Sequence, residues 1–91
     1  MNEFRFAGTI TGIETKTTKT GKSFSNFTLL QRDSYDPNRI LHVRVTAFGQ
    51  AHEEVAALGE QANAVVTGKI DSREWQGKHY LDLKAMRVES L

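Results

Sequence analysis

The stretch from residue 43 to residue 75 constrains this chain more than any other. Val-Arg-Val-Thr-Ala-Phe-Gly (43–49) reads as a strand ending on an aromatic and a glycine. Ala-Val-Val-Thr-Gly-Lys-Ile-Asp-Ser-Arg-Glu-Trp (64–75) reads as a second strand with a glycine inside it. Between them, Ala51, Val55 and Leu58 share one face of a short helix over residues 50–58, and Gly59 stands where a C′ glycine ends a helix. A helix set between two strands in this way suits a small barrel that needs one end closed.

The rest of the chain takes its place around this unit. Residues 4–14 alternate, with Phe4, Phe6, Gly8 and Ile10 on one face and Arg5, Ala7, Thr9 and Thr11 on the other, the period of a half-buried strand. Gly8 inside it predicts a bend or bulge. Residues 15–23, rich in Thr and Lys around Gly21, are a connector. It reads either as a solvated hairpin loop or as a flexible basic finger carrying Lys16, Lys19 and Lys22. Residues 24–31 form a second strand with Phe27 and Leu29 inward and Phe24 open to either face. Residues 32–38, around the only proline, form a hairpin loop. On the third strand, 39–48, Leu41, Val43, Val45 and Ala47 make an apolar face opposite His42, Arg44, Thr46 and Phe48. The fourth strand spans 62–75, interrupted by Gly68, and Gln76-Gly77 turns into a fifth over 79–88. On that fifth strand Tyr80, Asp82, Lys84 and Met86 oppose Leu81, Leu83, Ala85 and Arg87. This order predicts an all-β fold: a five-stranded barrel of the oligonucleotide/oligosaccharide-binding (OB) type, with one short helix between strands 3 and 4. It fills residues 1–91 as one domain.

Ninety-one residues lie near the lower end of what one apolar core stabilises alone, so a homo-oligomer is expected. The absence of cysteine excludes a disulfide framework and a thiolate metal site, and fits a cytoplasmic protein. No apolar run approaches the ~20 residues of a membrane span, and the first residues lack a signal-peptide pattern. A net charge of +1 permits nucleic-acid binding only if the basic residues gather on one face.

Phe-Ala-Gly-Thr-Ile-Thr-Gly (6–12), Gly-Lys-Ser-Phe-Ser-Asn-Phe-Thr-Leu (21–29), Val-Thr-Ala-Phe-Gly-Gln-Ala (45–51) and Val-Thr-Gly-Lys-Ile-Asp-Ser-Arg-Glu-Trp (66–75) occur in that order. Together they resemble the bacterial and phage single-stranded DNA-binding proteins over nearly the whole chain. The resemblance implies an OB barrel on which bases stack, with Tyr35, His42, Phe48 and Trp75 at stacking positions and Arg44 and Arg73 at basic ones. His42 stands where the family has a tryptophan. The long flexible segment and acidic C-terminal tip of the cellular members are expected to be absent. A homodimer or homotetramer is what the resemblance implies. Tyr80 joins the stacking candidates, with a structural role as its other reading. Lys16, Lys19, Lys22, Arg32 and Lys78 join the candidates for phosphate contact.

Catalysis finds little support. Gly21-Lys22-Ser23 resembles the end of a phosphate-binding P-loop, but Lys16 stands where that motif needs glycine and a strand follows it. His52-Glu53 opens like a zinc-protease helix, yet Ala56 replaces the second histidine. His42, His52 and His79 lack ligand spacing and read as surface residues. Asn26-Phe27-Thr28 is a chance sequon in a chain without a secretory signal. The expectation is a non-enzymatic, cofactor-free protein that binds single-stranded DNA without regard to sequence in replication, recombination or repair. It takes no small-molecule substrate. Two other readings stand beside it: a protein-interaction module of the primosome type whose exposed aromatics form an interface, and a single-stranded RNA binder.

Overall fold

The computed structural model describes residues 2–91. The elements run β1 (Phe4–Thr17), β2 (Ser23–Arg32), β3 (Ile40–Phe48), α1 (Gly49–Leu58), β4 (Asn63–Trp75) and β5 (Lys78–Ser90). The strands close into a barrel in the order β1-β2-β3-β5-β4, antiparallel throughout except for the parallel β3–β5 pair. This is the OB fold, with its single helix between the third and fourth strands. β1 serves two ladders: its first half pairs with β4, from Phe4↔Gly68 to Thr9↔Asn63, and its second half with β2, from Thr9↔Leu30 to Thr17↔Ser23.

Closure depends on two bulges. Between Thr11↔Thr28 and Glu14↔Asn26, β1 carries one residue more than β2, and Gly12 there adopts φ 64°. Between Thr67↔Arg87 and Gly68↔Ala85, β5 carries the extra residue, Met86. A bulge frees backbone amides from the ladder, and such groups need partners. Carboxylates on or just after α1 supply them. Glu60 accepts from the amides of Gly12 (3.1 Å) and Ile13 (2.6 Å). Glu54 accepts from the amide of Val88 (2.9 Å) and from Arg87 Nε (3.2 Å).

The bend expected at Gly8 therefore lies four residues later, at Gly12. Gly8 serves close approach instead: a Cβ there would run into the carbonyl of Leu30, and one at Gly68 into the carbonyl of Lys84. Inside the barrel Ile10, Phe27, Leu29, Val45, Val66 and Val88 are buried, and α1 seals one end with Ala51 and Val55. Gly59, at φ 81°, ends the helix and donates its N–H to the Val55 carbonyl.

Other expectations shift for identifiable reasons. β1 continues through Lys16, so the connector shrinks to a turn. That turn is tied by Thr18 N to Lys22 O (2.8 Å) and Gly21 N to Thr18 O (3.0 Å). The Met86 bulge moves Val88, not Arg87, into the core phase of β5. Leu41 and Leu81 hold inward phases on β3 and β5 yet are exposed, because their strand ends run past the barrel. From Asp71 to Leu81 every residue is exposed, so the β4–β5 hairpin projects as a two-stranded ribbon. This accounts for a radius of gyration of 13.5 Å, against about 12 Å for a compact domain of this length. His52 is half-buried, and its Nδ1 is hydrogen-bonded to the hydroxyl of buried Ser25, so it is not a plain surface residue.

Two stability outcomes follow, both measurable by urea denaturation. Glu54→Ala, which strips a part-buried amide and Arg87 of their acceptor, costs about 2 kcal/mol, whereas Glu60→Ala costs about 1 because water reaches its exposed partners. Gly68→Ala forces the β4 and β5 backbones apart and destabilises by about 2–3 kcal/mol.

Candidate nucleic-acid interface

The register places one continuous row of side chains on the outside of the barrel. Ser25, Phe27 and Leu29 face inward on β2, so Phe24, Asn26 and Thr28 face outward, opposite Phe48, Thr46 and Arg44 on β3. Cross-strand bonds tie this surface: Thr46 Oγ1 donates to Asn26 Oδ1 (2.8 Å) and Arg44 Nη1 to Thr28 Oγ1 (3.3 Å). Thr46 is the register partner of Lys84, which continues the row onto β5 and β4. There Arg73 pairs with Tyr80 and Trp75 with Lys78 on one face of the hairpin.

The candidate rings are open to solvent. Tyr35 is 98% exposed, Trp75 61%, Phe48 46% and Tyr80 38%. Arg73 lies over the Tyr80 ring, 5.1 Å from its centroid, and donates through Nε to Asp82 (3.0 Å). Arg44, Arg73 and Tyr80 line a shallow groove of about 390 Å³ together with Asn26, Thr46 and Asp82. Phe48 and Lys22 line a second depression of about 490 Å³ with Gly49, His52 and Glu53.

Tyr35 and Arg32 sit apart from both. Phe48 pairs at one end of β2, and Arg32 pairs with Ile40 at the other, where the 33–39 loop begins. His42 lies between, an exposed partner of Leu30. The loop is built by Asp33, whose carboxylate accepts the Tyr35 amide (2.9 Å), and by Arg32, whose Nη1 donates to the Pro37 carbonyl (2.6 Å). Arg32 thus braces the loop from which Tyr35 projects.

Charge is distributed in two zones. In the centre three cations face carboxylates: Arg44 with Glu14 (4.0 Å), Arg73 with Asp82 (3.0 Å) and Lys84 with Asp71 (3.2 Å). Among the described residues, Lys16, Lys19, Lys22, Lys69 and Lys78 form no such pair. The paired centre holds Tyr80, while Phe48 lies beside unpaired Lys22 and Trp75 opposite unpaired Lys78. Among the described residues no three His, Asp or Glu side chains gather so as to hold a metal ion. Phe24, Lys84 and the three carboxylates escape a strand-by-strand sequence reading. Only the register across all five strands aligns them.

No protein-family model matches the chain, and no curated protein matches it in sequence. Among solved structures, the dimeric structure of the N-terminal domain of PriB protein from Thermoanaerobacter tencongensis superposes with a TM-score of 0.76. The match covers 99% of this chain and 96% of that one at 19% identity. The likeness is one of fold.

The hydrogen bond from the Lys84 ammonium, reinforced by the Ser72 amide, holds the Asp71 carboxyl below its ordinary value of 3.8. A carboxyl with a depressed folded-state value stabilises the fold above its unfolded value and loses that contribution as pH falls through the folded one. A carbon-detected NMR titration of Asp71 is expected to show its midpoint below 3.8, and Lys84→Met to move it upward.

Proposed function

We propose that this protein binds single-stranded DNA without regard to sequence, protecting exposed strands in replication, recombination or repair. The observation that carries the reading is the exposed outer row of Phe48, Tyr80 and Trp75, near-neutral in the middle and rimmed by unpaired lysines. In OB barrels generally, the β2–β3 face and the β1–β2 and β4–β5 loops are where oligonucleotides lie.

Every base has a π-face, so rings of this kind hold bases without discriminating among them, each stack contributing ~1–3 kcal/mol. Bases in a duplex are already stacked on one another, which directs the row toward single strands. Phe48, Trp75, Tyr80, His42 and Tyr35 are the stacking groups in this reading. Lys16, Lys19, Lys22 and Lys78 take phosphates directly. Arg44 and Arg73 take them by exchanging a carboxylate for a phosphate, and Arg32 acts at the loop that carries Tyr35. The dimeric state named for the PriB domain supports a homodimer, and the reading places the protein in the cytoplasm without catalytic activity.

A second reading has its own observation. Three central cations already face carboxylates, and Leu81 is 71% exposed on the reverse of the hairpin, so both faces of the hairpin suit a protein interface.

Trp75 reports on the choice directly. Oligo(dT) is expected to quench its fluorescence at low salt, with recovery as salt rises. Phe48→Ala is expected to weaken binding about tenfold, with solution mass unchanged. A change in mass with DNA affinity intact selects the protein-interface reading, and matched DNA and RNA oligomers separate the two nucleic acids.

A further inference from the structure

At the α1 end of the sheet, Phe24 and Phe48 are register partners on β2 and β3, and their rings stack with centroids 5.1 Å apart at 24°. Phe24 holds the outward phase of β2 and is only half-buried, so its ring belongs to the surface row and not to the core. It backs Phe48, holding that ring in place before any ligand arrives, so a base landing there need not order it.

Two cations flank the pair. Lys16 is the register partner of Phe24 on β1, turned outward by the bulge at Gly12–Ile13. Lys22 lines the same depression as Phe48. Among the described residues neither lysine engages a carboxylate. Glu53 of α1 lines the helix side of that depression and repels a phosphate there, leaving the β1–β2 side as the favourable one.

We propose that the stacked Phe24–Phe48 pair is a nucleotide subsite in its own right. It takes one base on its rings and the adjoining phosphates on Lys16 and Lys22, and so carries a bound strand off the β2–β3 face toward the β1–β2 turn. The proposal rests on the single-strand reading above and adds to it a path and a contact residue, Phe24. The subsite is well separated from the hairpin. Thr46 aligns with Lys84, while Phe48 lies two residues beyond Thr46 and Lys78 six residues the other way, a span of roughly 25 Å at strand rise.

That separation makes length the test. Oligo(dT) of about 4 and about 16 nucleotides, the ends of the range of OB-fold site sizes, is titrated against wild type, Phe24→Leu and Lys22→Ala, with Trp75 fluorescence as the readout. Leucine keeps the apolar volume and removes the ring, and a thermal melt verifies that each variant is folded. Phe24→Leu is expected to weaken binding of the longer oligomer about fivefold or more and to leave the shorter one, reported from the hairpin, unchanged. Lys22→Ala is expected to reduce the log–log salt slope for the longer oligomer by about 0.7. Unchanged affinity of Phe24→Leu for the longer oligomer, or an equal loss at both lengths, overturns the subsite while single-strand binding stands. A wild type quenched by neither oligomer overturns both.

Discussion

The barrel depends on two places where a strand carries one residue too many and a glutamate from the α1 segment takes up the amides set loose. Glu60 does this for β1 and Glu54 for β5. The consequence reaches beyond closure, because each extra residue reverses which side chains face out. Ile10 points into the core, yet Glu14 and Lys16, an even number of residues later, lie on the outer surface beside Asn26 and Phe24. On β5 the same reversal lets Ala85 and Val88 both reach the core while Lys84, Asp82 and Tyr80 stay outside. The make-up of the outer surface is therefore set by backbone irregularities held by two glutamates on and just after the helix that seals the barrel's end.

That surface separates two kinds of attraction. Ion pairs and the Tyr80 ring occupy the middle, and bare ammonium groups stand at the two ends beside Phe48 and Trp75. An exposed ion pair contributes little to stability, with a median of ~0–1 kcal/mol, so the central pairs matter chiefly for what they do to the field. They flatten it around Tyr80 and leave it positive beside Phe48 and Trp75. A net charge of +1 says nothing of this arrangement, because it sums over the two zones.

Much of the architecture was legible in the sequence because period-2 alternation and the Ala51–Val55 spacing are local signals. The five strands, the helix and its Gly59 stop follow from such signals. The bulges were not legible, since Gly8 and Gly12 look alike in sequence and only the neighbouring strand decides which one bends and which makes room for a carbonyl. The exposure of Leu41 and Leu81 was hidden for a related reason: alternation reports the face of a strand, not whether a barrel still stands behind it. The open rings of Tyr35, Phe48 and Trp75 agree with their places beside turns. The outward setting of Phe24 and the pairing of Arg73 with Asp82 depend on contacts between strands, which no single segment encodes.

β1, shared between two ladders, also shapes how the molecule is made. Its pairing with β2 links residues close in sequence, but its pairing with β4 joins Thr9 to Asn63 and Phe4 to Gly68. Contacts of such separation are slow to form, because the entropy of closing the loop is lost before the contact returns anything. During synthesis the meander of β1, β2 and β3 emerges first, with the amino-terminal half of β1 waiting unpaired. β4 then docks on β1, but the cylinder shuts only when β5 leaves the ribosome and bridges β3 to β4, which makes docking of that last strand the late, committing event of folding.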